Sequence, residues 1–452
     1  MKSINPFSQE IIGTYAVHDQ FQVNEIIEKV NQAYQKWKNI QLIERRQLNL
    51  KLAEKLEEKK EHFAQLITKE MGKPIKESTA EVEKCIWLCK HYASPESFDI
   101  QPKRINTEAR AVYLSFEPLG TIFAIMPWNF PFWQVFRFAI PTITAGNTVI
   151  LKHAPNVTGC SLAIEEAFLS SGFSENVFRY VVIPAERSEE IISHSYIKGV
   201  TLTGSEKAGQ SVASLCGKYL KKTVLELGGS DPFIIFEDAE LHLSCSSGLR
   251  SRMLNSGQVC IAAKRFIVQD SIFDNFLLEQ KQALEAQVLG DPMMTQTDLG
   301  PMARPDLVDQ IEYQVNESVK MGAKVICGGK RSTFHSQIFE PTLLTDVRKG
   351  MPVYDDETFG PVMVAIPFHT KEEAVKIAND TRFGLGASIW TQNIELAHEI
   401  MPQLEAGAVF VNSIVKSDPR VPFGGIKNSG YGRELAFEGV MEFLNIKTNW
   451  IE

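Results

Sequence analysis

The feature that most constrains the fold is an alternation of short apolar runs with helical stretches between Gly120 and Phe236. Thr121–Met126, Thr148–Leu151, Phe178–Val182, Val200–Thr203 and Phe233–Phe236 read as strands. Thr158–Ser170 and Ser205–Leu220 read as helices between them. Strands joined through helices must run parallel, because a parallel neighbour needs a long crossover. The result is a parallel sheet wrapped by helices, with its ligand crevice at the strand C-termini. After Leu241 a second α/β pattern begins. Arg265–Val268, Val362–Pro367, Ala387–Trp390 and Ala408–Val411 are expected strands. Ser271–Ala286, Arg304–Met321 and Lys371–Asn379 are expected helices.

Ahead of the first pattern, residues 22–92 read as helices, with Ile26, Ile27, Val30, Ala33, Tyr34 and Trp37 at helical spacing. Gly72-Lys73-Pro74 predicts a helix stop and restart. The stretch Asn106–Phe116 alternates in the manner of a strand or hairpin, and the tail Met441–Ile451 looks extended. Neither belongs clearly to either α/β unit. Two detached strands predict an oligomerisation flap, because an unpaired edge needs a partner. A homodimer or a dimer of dimers is therefore expected.

Composition excludes several classes. The 452 residues carry a net charge of −8 and no dense basic block, which disfavours nucleic-acid and anionic-membrane partners. No window approaches the ~20 apolar residues of a spanning helix. Met1–Thr14 lacks the basic and apolar regions of a secretory signal. The seven cysteines are odd in number and dispersed, which predicts reduced thiols and a cytoplasmic setting. Cys85, Cys89 and His91 could be read as ligands, but Cys85 and Cys89 lie one helical turn apart beside Trp87 and Leu88. Buried helix cysteines are expected there, and no metal.

Three short segments carry candidate chemistry. Cys260 ends Asn255-Ser256-Gly257-Gln258-Val259-Cys260; a lone cysteine is by default a buried small hydrophobe, and the polar break at Gly257-Gln258 weighs against that reading. A thiolate attacks carbonyl carbon, but an ordinary thiol near pKa ~8.5 is mostly protonated at neutral pH and needs a base or a lowered pKa. Glu226 in Leu225-Glu226-Leu227-Gly228-Gly229 is the candidate base, and glycines there allow close backbone approach. Asn129, in Pro127-Trp128-Asn129-Phe130-Pro131, offers an amide to a developing oxyanion; the alternative is an ordinary turn asparagine. Gly204-Ser205-Glu206 follows a strand and opens a helix, where amides and the Ser205 hydroxyl suit a pyrophosphate. By itself this is an ordinary helix start.

With these strings in place, the chain resembles the aldehyde dehydrogenase superfamily along essentially its full length. The landmarks are PWNFP at 127–131, GNTVILKHAP at 146–155, TGSEKAG at 203–209, LELGG at 225–229, NSGQVC at 255–260, ETFGPV at 357–362 and PFGGIKNSGYGRE at 422–434. The resemblance implies a Rossmann-like cofactor domain (1–104 and 119–232), an α/β catalytic domain (233–430) and a small β oligomerisation flap (105–118 and 431–452). It implies Cys260 as nucleophile, Glu226 as the base for the deacylating water, and Asn129 with the Cys260 N–H as oxyanion hole. Lys152 and His153 would lie near the adenosine ribose, with Trp128, Gly204, Ser205 and Leu227 along the dinucleotide. Glu357 would bind the nicotinamide ribose, with Phe359 beside the nicotinamide. The implied reaction runs through a hemithioacetal, hydride transfer and a thioester hydrolysed by water; the presence of Glu226 argues against the coenzyme A-acylating branch.

Within the family, SDPF after LELGG, KHAPN, and VKSDPR before PFGG are similar to the short bacterial succinate-semialdehyde dehydrogenases. Arg137, in the aromatic stretch with Trp133, matches the position that binds a substrate carboxylate, and Ser417 matches the other common contact. Two readings stand for Arg137: it holds the substrate, or it pairs with an internal acid, since a buried cation needs some anion. The resemblance implies oxidation of succinate semialdehyde, with glutarate semialdehyde, an uncharged aliphatic aldehyde or a non-catalytic role as alternatives. Leu254 stands where human-type enzymes carry a second arginine, and Arg250 and Arg252 are expected to face elsewhere. Ala262 stands in place of their redox-switch cysteine, so weaker carboxylate binding and no disulfide switch at Cys260 are expected. Pro155 replaces the glutamate that repels a 2′-phosphate in strict NAD enzymes, so NADP use is expected beside NAD.

Overall fold

A computed structural model describes all 452 residues. Four helices, Gln20–Trp37, Leu42–Glu58, Lys60–Met71 and Ile75–Ala93, open the chain after two short paired strands. Asp19 and Gln22 form a reciprocal capping box on the first helix. Gly72 ends the third at φ +81°, the left-handed conformation that a β-carbon disfavours.

Six strands form the first sheet, in the order Gly430–Tyr431, Lys222–Glu226, Ile197–Thr203, Thr121–Met126, Thr148–His153 and Phe178–Tyr180. All neighbours are parallel except Gly430–Tyr431, which returns antiparallel on Lys222–Glu226 with Gly430 opposite Glu226. The chain order reverses between Thr121–Met126 and Ile197–Thr203. At that switch point the loops after adjacent parallel strands splay apart and leave a crevice. Those two loops carry Trp128-Asn129 and Gly204-Ser205.

The second sheet runs Lys324–Cys327, Thr342–Thr345, Val362–Phe368, Ala263–Gln269, Asp231–Ile235, Gly386–Trp390 and Ala408–Val411. Only its first strand is antiparallel. The third sheet joins Lys103–Ile105, Ala111–Pro118 and Leu444–Ile451. The detached hairpin and the extended tail are therefore partners, although Asn106–Arg110 forms the turn between strands. Ile446, Trp450 and Ile451 stay exposed on this sheet.

The helix Trp133–Thr144 is buried on every side. It packs against Ile75–Ala93, and Phe132, Phe136, Phe168 and Phe178 stack into one aromatic column beside it. A helix apolar all round belongs in a core. This one brings Trp133 and Arg137 to the middle of the molecule. Cys85 and Cys89 are fully buried on the adjoining helix. No helix is long and apolar enough to cross a membrane.

Candidate active site

Cys260 follows a strained turn. Asn255, Ser256 and Gly257 take φ values of 53°, 53° and 75° in succession. Left-handed backbone costs a non-glycine residue about 1–2 kcal/mol, so the surroundings must hold it. They do so from several elements. Glu77 accepts from the Asn255 N–H at 2.7 Å, and Asn255 Nδ2 donates to the Asn129 carbonyl at 2.8 Å. Ser256 Oγ donates to the Gly300 carbonyl at 3.0 Å, and Gln258 Oε1 accepts from the Ala303 N–H at 2.9 Å. A β-carbon on Gly257 would collide with the Gly360 carbonyl. Lys264 Nζ donates to the carbonyls of Val259 and Cys260 at 3.0 and 2.7 Å.

Cys260 is the one cysteine that is not fully enclosed; the other six are buried. Burial pushes its thiol up to about 12, against the pull of Arg137 and Lys264, while Glu357 and Glu226 add to the rise. The thiol is thus neutral near pH 7 and needs a base to react. Its N–H makes no hydrogen bond within the chain. Asn129 Nδ2 donates to the Gln258 carbonyl at 3.0 Å, which fixes the amide against the cysteine loop and leaves its second N–H for another acceptor.

Glu226 is 2% exposed, and its Oε1 has no hydrogen-bond partner. Burial raises its carboxyl well above the carboxylate range; Arg137 opposes this and Glu434 adds to it. A β-carbon on Gly424 would stand 2.9 Å from Glu226 Oε1, so this glycine leaves room for the carboxylate. The next glycines downstream of Glu226 serve a different neighbour from the one expected. The Gly229 N–H donates to Glu357 Oε1 at 3.1 Å, and a β-carbon on Gly228 would strike the Glu357 carboxylate. They allow approach of a side chain as well as of any ligand.

Two cavities meet at Cys260 and Gln134. The first, of about 760 Å³, lies at the switch point and is lined by Trp128, Asn129, Gly204, Ser205, Leu227, Glu357 and Phe359. Trp128 and Phe359 meet edge to face at 5.8 Å. Ser205 caps the helix Glu206–Lys218 by accepting from the Ala208 N–H at 3.3 Å, so that helix presents its positive end here. Size, aromatic walls and a helix N-terminus fit a dinucleotide. Lys152 and His153 lie outside this lining. Lys152 is buried at its strand end; burial lowers its ammonium pKa and Glu186 opposes the effect. His153 is tied to backbone on both ring nitrogens. Its Nε2 lies 2.9 Å from the Pro131 carbonyl, and its Nδ1 accepts from the Ala154 N–H at 3.0 Å. With burial pushing it down to about 4, it is a neutral ring engaged by backbone.

The second cavity, of about 660 Å³, is lined by Lys84, Trp133, Arg137, Arg250, Ser417 and Phe423, among others. Here Arg137 takes the internal partner. Its guanidinium pairs with Glu434, rests 4.6 Å over the Phe423 ring and reaches Thr203 Oγ1 at 3.4 Å. Of the two readings of Arg137, the internal acid is present: it pairs with buried Glu434 and influences Glu226, while it also lines the cavity. Arg252 does face away, donating to the carbonyls of Thr358, Gly360 and Val362. Arg250 does not; it lines the cavity beside Leu254 from an exposed position. Trp133 Nε1 and Lys84 Nζ both donate to Ser417 Oγ, at 3.0 and 2.8 Å. Lys84 had no signal in the sequence, since it sits in a helix crowded with Glu and Lys.

Residues 1–449 match the aldehyde dehydrogenase family. A protein of Synechocystis sp. named "Probable succinate-semialdehyde dehydrogenase [NADP(+)]" is 45% identical over 449 residues, covering 99% of each chain. An Escherichia coli K12 succinate semialdehyde dehydrogenase, named for NAD(P)+, is 39% identical over 99% of this chain and 97% of its own. The crystal structure of succinic semialdehyde dehydrogenase from Streptococcus pyogenes in complex with NADP+ superposes with a TM-score of 0.97 at 34% identity, covering 100% of this chain and 99% of that one. The one accessible cysteine, the crevice at the switch point and this likeness along the whole length agree, and the chain belongs to the aldehyde dehydrogenase family.

Proposed function

We propose that the chain oxidises succinate semialdehyde to succinate with NADP or NAD. The observation that carries the reading is the place of Cys260, at the junction of a dinucleotide-sized crevice and a cavity with a cationic wall. The names of the relatives from Synechocystis, E. coli and S. pyogenes support it. In this reading Cys260 Sγ bonds to the aldehyde carbon as its proton leaves to a base. The oxyanion is held by Asn129 Nδ2 and the Cys260 N–H. When bound, the nicotinamide supplies the hydride acceptor, and Trp128, Leu227, Glu357 and Phe359 hold that end of the cofactor in the crevice. The resulting thioester on Cys260 is attacked by water whose proton passes to Glu226. Glu226 lines neither cavity, but its charge is felt at the Cys260 thiol.

Gly204, Ser205 and the helix they open take the pyrophosphate, and Lys152 the adenosine ribose. Pro155 leaves that ribose without the carboxylate that would repel a 2′-phosphate. We assign residues 1–104 and 119–232 to the cofactor domain, 233–430 to the catalytic domain, and 105–118 with 431–452 to a flap that joins copies of the chain. Exposed Ile446, Trp450 and Ile451 support the last assignment. Seven unpaired cysteines support a cytoplasmic setting.

An aldehyde panel run with both cofactors tests the reading. Succinate semialdehyde is expected to exceed glutarate semialdehyde and butanal in kcat/KM, with NADP at least equal to NAD. Preference for butanal would remove the substrate assignment, and strong preference for NAD would remove the role given to Pro155. Arg137→Ala is expected to cost about 3–5 kcal/mol of stability, because it strands buried Glu434. It should lower the thermal midpoint and depress turnover of acidic and uncharged aldehydes alike. A loss confined to the acid, at unchanged thermal midpoint, would return Arg137 to the substrate.

A further inference from the structure

We infer that Lys84 is a further contact for the distal carboxylate of the substrate, beside Ser417, which rests on the succinate semialdehyde reading above. Lys84 lies on the helix Ile75–Ala93, on the face that also carries Glu77 and Glu81. Those two acids are committed. Glu77 holds the Asn255 N–H. Glu81 pairs with buried Lys73 and accepts from the Phe132 and Trp133 N–H groups at 2.8 and 2.9 Å. Asp418, the other acid near Lys84, is held by Arg420 at 2.6 Å. Lys84 therefore stands on the cavity wall with no carboxylate of its own.

Its surroundings are built for an anion. The ammonium sits 4.1 Å over the Trp133 ring and donates one N–H to Ser417 Oγ, leaving two. Ser417 Oγ accepts from both Lys84 and Trp133, which uses its two lone pairs. Its own O–H must then donate, and no acceptor within the chain takes it. Two ammonium N–H groups and one hydroxyl beside Trp133 thus have no hydrogen-bond acceptor within the chain. Burial and the neighbouring Arg137 push the Lys84 ammonium down to about 8, a cost that a docked carboxylate would relieve. Arg137 lines the same cavity but shares its charge with Glu434. Arg250 and Lys416 line the same cavity and add positive charge that draws anionic aldehydes toward it.

Lys84→Met keeps the stem that lies on Trp133 and deletes the charge. The ratio of kcat/KM for succinate semialdehyde to that for butanal is expected to fall tenfold to a hundredfold, on the order of one charged hydrogen bond lost. The fall should lie in KM for the acid, and Lys84→Arg should recover part of it. An unchanged ratio, or equal losses on both aldehydes, would overturn the inference. Succinate as an inhibitor separates this from the substrate reading. If the unmodified enzyme prefers butanal, the substrate reading fails. The Lys84 site then stands if succinate inhibits the unmodified enzyme at least tenfold more tightly than Lys84→Met, and falls if it inhibits both equally.

Discussion

Cys260→Ala is expected to abolish aldehyde oxidation, by at least ~10⁴-fold, while NADP binding stays within about twofold. The substitution removes one sulfur from a half-buried site and leaves the turn before it untouched. That turn is held by Glu77, Asn129, Gly300 and Ala303 through hydrogen bonds to residues 255, 256 and 258, none of them made by the thiol. The dinucleotide crevice keeps Trp128, Glu357, Phe359 and the helix N-terminus at Ser205. Cofactor titration by fluorescence and turnover with any aldehyde of the panel together check the prediction. Retained turnover would overturn the assignment of the nucleophile. Replacement of another cysteine should leave chemistry intact, because each of the six is enclosed and out of reach of a substrate.

Glu226→Gln is expected to slow steady-state turnover about 10²- to 10⁴-fold, the usual contribution of a general base. The slow step should be hydrolysis of the thioester. Rapid mixing should then show a burst of reduced cofactor close to one equivalent of enzyme, followed by a slow phase. Glutamine preserves shape beside Gly424, so a collapse of the fold is not expected. The pH dependence follows from burial. With the Glu226 carboxyl raised well above its ordinary range, it is neutral and unable to accept a proton at low pH. Hydrolysis of the thioester should therefore rise with pH as the carboxylate forms, and this rising limb should vanish in Glu226→Gln. A variant that turns over at the unmodified rate would remove the base from Glu226.

Much of this arrangement was legible in the residues. The strand Thr121–Met126 and the helices Thr158–Ser170 and Lys371–Asn379 fall where apolar periodicity places them, because each is long enough to repeat. Lys2–Ile4 and Ile11–Thr14 were not seen, since three or four residues on an edge carry almost no period. Cys260, Asn129 and Glu226 were legible because each stands in an unusual local string. Partnership was not. Arg137 and Glu434 lie far apart in sequence, and only the packing of the buried helix against the C-terminal segment joins them. The backbone partners of His153 were hidden for the same reason. A histidine at a strand end looks available until the carbonyl of Pro131 turns back toward it. Lys84 was invisible because a lysine among Glu77, Glu81 and Glu83 reads as a solvated face, and Trp133 and Ser417 come from distant segments.

The meeting of two cavities at one sulfur has a consequence for traffic. Exposed Lys207 and Gln210 edge one mouth, and exposed Lys76 and Arg250 edge the other. On the proposed assignment of the two cavities, hydride acceptor and aldehyde come through separate doors, and the acid product has a way out while the spent nucleotide is still in place.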